Sequence, residues 1–307
     1  MELNRQEPVL IWDRVASNRR RTFLLMIAFF LVVATACVAL GFLAGLPPGL
    51  TPIIIVFVLL FAAFAYFSSD SVALAVSGAK LVTVESEPEL FRIAENLCIG
   101  SGLPMPKVYV IEDGAMNAFA TGRDPQHASI AVTRGLMNKL DRRELEGVMA
   151  HELSHIGNRD TLLMTTVVVL VGSLALMADL ALRLTAFGAG GRRTFKGKDN
   201  QLGIILVIAA VVAAILAPIA ARLISFAISR QREYLADASG ALLTRYPDGL
   251  ANALDKIRGD TDPLDTATKA TEHLYFVNPL TDYKSTLNNF FSTHPPIEER
   301  IRLLRAM

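Results

Sequence analysis

Four long apolar stretches divide the chain and determine most of its predicted architecture. Residues 22–46 and 50–67 carry no formal charge, and residues 161–182 and 202–228 are nearly free of it. At about 1.5 Å of rise per helical residue, each stretch is long enough to cross the roughly 30 Å hydrocarbon layer of a bilayer. The pattern therefore predicts about four transmembrane helices, arranged as a hairpin near the amino terminus and a second hairpin further along.

The segment between the two hairpins has the shorter periods of an α+β fold. A capping box that starts at Ser86 opens a predicted helix. Apolar residues at strand spacing predict strands at 107–111 and 129–133, with a shorter strand at 117–120 between them. We therefore expect a small sheet packed against helices.

The composition supports a membrane protein and excludes other classes. Hydrophobic residues make up 52% of the chain and charged residues 19%, which is unusual for a soluble globule. The formal net charge is +1, and no basic block is large enough to predict nucleic-acid binding. The two cysteines, Cys37 and Cys98, imply no disulfide framework, which fits a reducing compartment such as the cytosol.

The most informative motif follows a second capping box, formed by Asp141 and Glu144. It reads His151-Glu152-Leu-Ser-His155, so helical spacing places both imidazoles on one face with a carboxylate beside the first. This arrangement can bind zinc and activate a water molecule, and it predicts cleavage of peptide bonds. The alternative is a pair of exposed histidines on an ordinary amphipathic helix.

A catalytic zinc site needs a third protein ligand and one open position. Glu233 and Asp237 lie four residues apart on a helix that continues from the last apolar stretch. We assign Glu233 as the third ligand and Asp237 as the acceptor of a hydrogen bond from a ligand histidine. The spacing alone also allows the reverse assignment, or a plain solvated helix face.

Two further features are candidates for the active site. His294 and Arg300 lie near the start of the last predicted helix, where a donor or a cation would stabilise the oxyanion of the tetrahedral intermediate. The alternative is that His294 only shapes the turn before two prolines. The short strand is a candidate exposed edge that pairs with an extended substrate. Its residues are Asn117, Ala118, Phe119 and Ala120.

The position of the motifs constrains the topology. Two apolar stretches separate the histidine helix from Glu233. One metal ion can therefore bind both only if the chain between them crosses the membrane an even number of times. The basic residues at 19–21 favour a cytoplasmic amino terminus, which predicts a cytoplasmic site. The loop at 185–201 does not fit this topology. It carries four basic residues, which favour the cytoplasmic side, yet the topology places it on the opposite side of the membrane. Either the charge rule fails there or the rear hairpin does not fully span.

These motifs, in this order, make the chain resemble the HtpX-type membrane zinc metalloproteases, which are relatives of the prenyl-protein endopeptidases. The resemblance covers nearly the whole length and implies a gluzincin-like catalytic domain that binds one zinc ion per chain. The implied site comprises zinc ligands His151, His155 and Glu233, the catalytic residue Glu152, Asp237 behind the ligands, and the active-site groups His294 and Arg300. The resemblance also implies cleavage of misfolded or damaged membrane proteins from the cytoplasmic side.

We therefore predict a mainly α integral membrane protein with about four transmembrane helices and an α+β catalytic domain that acts as a zinc endopeptidase. The predicted parts are a front hairpin at 1–69, a first catalytic part at 70–160, a rear hairpin at 161–228 and a second catalytic part at 229–307. Expected partners are the lipid bilayer and membrane-protein or unfolded polypeptide substrates, without nucleic acid. Two alternatives stay open: a prenyl-protein processing endopeptidase, and a non-catalytic membrane scaffold with a structural zinc.

Overall fold

The computed structural model describes residues 51–165, 230–260 and 295–307, isolated positions between 20 and 49, and Asp262, Leu264, Tyr275 and Phe276. The helices are α1 (Thr51–Val76), α2 (Pro88–Ser101), α3 (Arg134–Lys139), α4 (Arg142–Gly157), α5 (Arg230–Thr244), α6 (Pro247–Arg258) and α7 (Ile297–Leu304). The strands are β1 (Lys80–Leu81), β2 (Lys107–Ile111), β3 (Ala118–Gly122) and β4 (Ala128–Thr133), and a 3₁₀ turn spans Pro125–His127. Helices around one small sheet are what the sequence predicts for the catalytic part.

The strands form one mixed sheet in the spatial order β1-β2-β4-β3. β2 and β4 are parallel, with Lys107 opposite Ser129, whereas β1 pairs antiparallel with β2 and β3 antiparallel with β4. Both longer predicted strands are confirmed, and the shorter one begins one residue later than predicted, at Ala118. β3 is therefore the last strand of the described sheet, and it contacts helix α4.

Helix α4 lies at the centre of the catalytic part. Every residue from Gly147 through Ile156 is buried, because the helix packs against the sheet, α5 and α6. The surrounding apolar core includes Leu90, Ile93, Leu97, Val108, Ile130, Val148, Leu153, Leu254, Ile257 and Ile301. The histidines of α4 are therefore interior groups, which rules out the alternative of an exposed amphipathic helix.

Two glycines allow the helices to approach α4 closely. A Cβ atom on Gly147 would lie 2.7 Å from the backbone nitrogen of Leu250 in α6, and one on Gly240 of α5 would lie 3.0 Å from the backbone nitrogen of His151. Real Cβ atoms rarely tolerate either distance, so both positions need glycine. The contact at Gly240 brings the acidic residues of α5 to the histidines of α4.

The two predicted capping boxes have different outcomes. The box at α4 is confirmed, because the Asp141 carboxylate accepts from the backbone of Glu144 and the Glu144 side chain accepts from the backbone of Asp141. The predicted helix α2 forms, but its capping box does not: its N-cap is Glu87, which makes no side-chain cap bond. The Ser86 hydroxyl is instead engaged with the backbone of Thr83, in the turn that precedes the helix.

Helix α1 contains the second predicted apolar stretch and continues to Val76. Within the described part of the chain it is the one helix long and apolar enough to cross a membrane, over the window Thr51–Ser68 with a mean hydropathy of 2.3. The carboxy-terminal end of α1 is buried: Ala73 and Leu74 belong to a core shared with the catalytic part. Of the third apolar stretch only residues 161–165 are described. The rest of that stretch, the fourth stretch, all but isolated positions of the first, and the basic loop at 185–201 lie outside the described residues.

Candidate metal centre

Three buried side chains from two helices converge on one point. His151 and His155 come from α4 and Glu233 from α5, and each is at most 4% exposed. The Nε2 atoms of the two histidines are 3.1 Å apart. The Glu233 carboxylate lies 3.7 Å from Nε2 of His151 through Oε2, and 3.6 Å from Nε2 of His155 through Oε1. The structure thus brings together all three residues assigned as ligands.

The spacing of these atoms fits a bound metal ion. Tetrahedral coordination with metal–ligand distances of about 2.0–2.2 Å places neighbouring ligand atoms about 3.3–3.6 Å apart. The observed separations of 3.1, 3.6 and 3.7 Å differ from that by a few tenths of an ångström. Two imidazoles and one carboxylate are also a donor set typical of catalytic rather than structural sites.

A carboxylate orients each histidine from behind. Nδ1 of His151 lies 2.9 Å from Oδ1 of Asp237, and Nδ1 of His155 lies 3.2 Å from Oδ2 of Asp160. Each Nδ1–H therefore donates to a carboxylate, which leaves Nε2 as the free lone pair for a metal ion. Asp237 occupies the position expected from the sequence, whereas sequence reasoning missed Asp160.

Asp160 reaches His155 because the chain turns sharply after α4. Arg159 has a φ of 60°, the left-handed conformation common just after a helix end, and the Asp160 N–H donates to the His155 carbonyl at 3.0 Å. The turn folds the Asp160 side chain back beneath the imidazole. The sequence feature that could have identified Asp160 is a hydrogen-bonding side chain within a few positions of His155.

Each of these two carboxylates is held in turn by an arginine. Arg300 of α7 donates to both oxygens of Asp237, from Nε at 2.8 Å and from Nη2 at 2.7 Å. Arg232 of α5 donates to Asp160 at 2.8 Å. Arg300 is 1% exposed, so α7 contributes a fully buried cation to the centre. His294, the other residue proposed from that region, lies outside the described residues.

The electrostatics place one additional proton, and so one positive charge, on the pair of imidazoles. Burial lowers the pKa of His151 to about 4, despite its bond to Asp237. Burial would also lower the pKa of His155, but its hydrogen bond with Asp160 and the negative charge of Glu233 outweigh it and raise the pKa to about 9. In the metal-free protein at neutral pH the proton therefore resides on His155.

Glu152 lies beside the ligands and next to the sheet. Burial, at 2% exposure, raises the pKa of its carboxyl group to about 7, and the nearby backbone N–H of Ala120 in β3 opposes part of this rise. A carboxyl group with this pKa exchanges a proton readily near neutral pH. The strand and the helix thus hold one titratable group at the edge of the metal centre.

The candidate substrate strand is buried instead of exposed. Asn117 and all five residues of β3 are shielded from solvent, and the Asn117 side chain accepts from the N–H of Ala118 at 3.0 Å. The carbonyl of Ala118 points away from β4 and accepts from the N–H of Phe276 at 2.8 Å. The structure therefore places this strand against the metal centre, with part of its outer edge already paired.

A buried His-Glu-x-x-His helix that meets a glutamate from a second helix defines a metallopeptidase. The chain belongs to peptidase family M48, whose sequence profile matches residues 85–307. It is 43% identical to the protein named Protease HtpX homolog of Dictyoglomus thermophilum over 303 residues, which cover 98% of this chain and 96% of that protein. These findings confirm the resemblance stated from the motifs.

One further relative and one solved structure are also similar to this chain. The Protease HtpX homolog of Caldanaerobacter subterraneus subsp. tengcongensis is 44% identical over 303 residues, covering 97% of this chain and 98% of the relative. Among solved structures, the crystal structure of S. mikatae Ste24p matches with a TM-score of 0.48 and 18% identity, covering 97% of this chain and 67% of that one. The family match and the two relatives make the protein a metalloprotease, and a metal ion belongs to its active site.

Proposed function

We propose that the protein is a zinc-dependent endopeptidase, anchored in a membrane, that hydrolyses extended polypeptide segments. The observation that carries the proposal is the convergence of His151, His155 and Glu233, with the Glu152 carboxylate beside them. Zinc is the metal we propose because a buried site of two imidazoles and one carboxylate suits a tetrahedral ion with an open position.

The residues around the site divide the chemistry among them. A zinc ion bound there supplies a Lewis acid for the scissile carbonyl and lowers the pKa of a water molecule toward neutrality. Glu152 accepts the proton of the attacking water and returns it to the leaving amine. The nearby backbone N–H of Ala120 favours the ionised carboxylate that accepts this proton.

We assign Arg300 a role different from direct oxyanion stabilisation. Its Nε and Nη2 groups both donate to Asp237, which itself accepts from His151, and its Nη1 lies 3.5 Å from Oε2 of Glu233. Arg300 therefore acts on the ligands, chiefly through the Asp237 carboxylate. His294 remains our candidate for the group that stabilises the oxyanion, since an imidazole near the metal is a suitable donor.

The proposed substrate path follows β3. The proposed path comprises Asn117 to Ala120, and the Ala120 backbone lies next to Glu152, so a substrate that adds as a strand along this edge passes its scissile bond in front of the carboxylate. Main-chain pairing depends little on side chains. It therefore suits an enzyme that cuts unfolded or damaged polypeptides of varied sequence.

The membrane location rests on the surface of α1. Its large apolar side chains face outward, with Phe57 at 68% and Leu60 at 65% exposure, a surface that soluble proteins seldom carry. Phe30 packs against Phe61 with ring centroids 6.5 Å apart, which supports a front hairpin. We propose that the catalytic part lies on the cytoplasmic side and that the protease serves quality control of membrane proteins.

The test is metal analysis of the detergent-purified protein combined with digestion of casein and of an unfolded membrane protein. We expect about one zinc per chain, with cleavage that a chelator abolishes and zinc restores. Glu152→Gln should retain zinc and lose nearly all cleavage, so near-normal proteolysis by that variant would refute the general-base role. Preference for a carboxy-terminal prenylated peptide would favour the prenyl-processing alternative, and an inert zinc-loaded protein would favour the scaffold.

A further inference from the structure

The outer edge of β3 is occupied by the protein's own groups. The carbonyl of Ala118 accepts from the Phe276 N–H at 2.8 Å, and the Ala118 N–H is bonded to the Asn117 side chain. The backbone of Ala120, the next residue on this edge, lies beside Glu152. A substrate strand that pairs with this edge therefore meets a backbone position that residue 276 already fills.

The side chain of Phe276 lies directly at the metal centre. It is 2% exposed, and its ring packs edge-on against His151 with centroids 4.8 Å apart. The Arg300 guanidinium covers the same ring at 4.8 Å from its centroid. Phe276 is thus paired with the strand through its backbone and seated beside a metal ligand through its ring.

The neighbouring residue ties this segment to the end of α1. Tyr275 is fully buried, and its ring packs edge-on against Phe119 of β3 at 5.3 Å between centroids. Its hydroxyl donates to Oγ of Ser77 at 3.3 Å, and Ser77 directly follows α1. One buried hydrogen bond therefore joins the end of the proposed membrane helix to the residue that precedes Phe276.

We infer that Tyr275 and Phe276 form a strap that occupies the substrate's place on β3 and must leave before an extended substrate can pair there. The inference rests on the proposed function, because it names a regulator of the same site. While the Ala118 carbonyl is bonded to the Phe276 N–H, a substrate strand cannot occupy the same position along β3. The bond to Ser77 stabilises the closed position, so movement at the end of α1 releases the strap.

The test deletes the hydrogen bond between Tyr275 and Ser77 and keeps the aromatic rings of the strap. Tyr275→Phe and Ser77→Ala each delete one end of the hydrogen bond, and each should raise kcat/KM for a short extended peptide by about three- to tenfold, the population shift expected from one buried hydrogen bond. The double variant should gain no more than either single variant, since both remove the same bond. Tyr246→Phe is the matched control, because that tyrosine is 38% exposed and lies in α6's amino-terminal turn. Unchanged or lower kcat/KM in zinc-loaded Tyr275→Phe would show that the strap is a fixed wall of the site.

A second measurement needs no catalysis. Hydrogen exchange of the zinc-loaded, full-length protein without substrate reports directly on the Phe276 amide. We expect Tyr275→Phe to speed its exchange by about three- to tenfold, with no change in Tyr246→Phe. An unchanged rate would overturn the strap, whatever the enzyme cleaves. If the wild type binds zinc but hydrolyses no peptide, the proposed function fails while this readout still decides the inference.

Discussion

Replacing Arg300 tests how the ligand histidines are held. Its guanidinium makes two hydrogen bonds to Asp237, and the two side chains are 1% and 4% exposed. Removing one partner of such a buried pair costs about 3–5 kcal/mol, because the remaining charge loses its compensation. We expect that loss of stability for Arg300→Met. For Arg300→Lys we expect about 1.5–3 kcal/mol, because an ammonium group cannot reproduce the planar two-bond contact.

The loss should appear both in folding and in metal binding. Thermal unfolding in detergent without metal measures the first, and competition with a chromogenic zinc chelator measures the second. Because Asp237 fixes the Nδ1–H of His151, both variants should bind zinc about 10–100-fold more weakly. Arg302→Lys is the control, since Arg302 is 67% exposed on the same helix and should change neither quantity.

The two roles considered for Arg300 give opposite results. If Arg300→Lys keeps the wild-type unfolding temperature and zinc affinity but loses turnover, the guanidinium acts on the reacting substrate and not through Asp237. That result would refute the assignment made from the geometry. Parallel losses in all three quantities would support it.

Three further predictions address the remaining parts of the centre. Gly240→Ala should weaken zinc binding and lower the unfolding temperature, because the new Cβ would lie 3.0 Å from the backbone nitrogen of His151. Gly259→Ala is the control: its nearest contact would be an ordinary 3.4 Å, so it should change neither quantity. Asp160→Asn should bind zinc about 10–100-fold more weakly in the chelator competition, because the amide no longer fixes the tautomer of His155; wild-type affinity would contradict that role. Because the pKa of His155 is about 9 in the metal-free protein, zinc must displace a proton from this side chain when it binds. Calorimetry in two buffers should therefore show that the apparent zinc affinity rises roughly tenfold per pH unit from pH 7 towards pH 9. A flat profile would argue against the raised pKa.

Local patterns in the sequence succeeded where a single helix decides the outcome. The four-residue spacing of His151 and His155 puts both imidazoles on one face of α4 whatever surrounds it, and the Asp141 capping box forms within one turn. Ser86 shows the limit of such reasoning. The same signature was present there, but the hydroxyl found a competing backbone partner in the preceding turn.

The sequence by itself determined the reaction class, because ligand spacing, the adjacent carboxylate and a second acidic pair are all properties of individual helices. Only the tertiary structure decided what surrounds them: Asp160 beneath His155, Arg300 on Asp237, and Phe276 on β3. These contacts join residues whose meeting depends on a left-handed turn, a close helix approach at Gly240, and chain segments far apart in order. Helical periodicity sets the direction of a side chain within its own element, whereas the packing of elements determines which partner it meets.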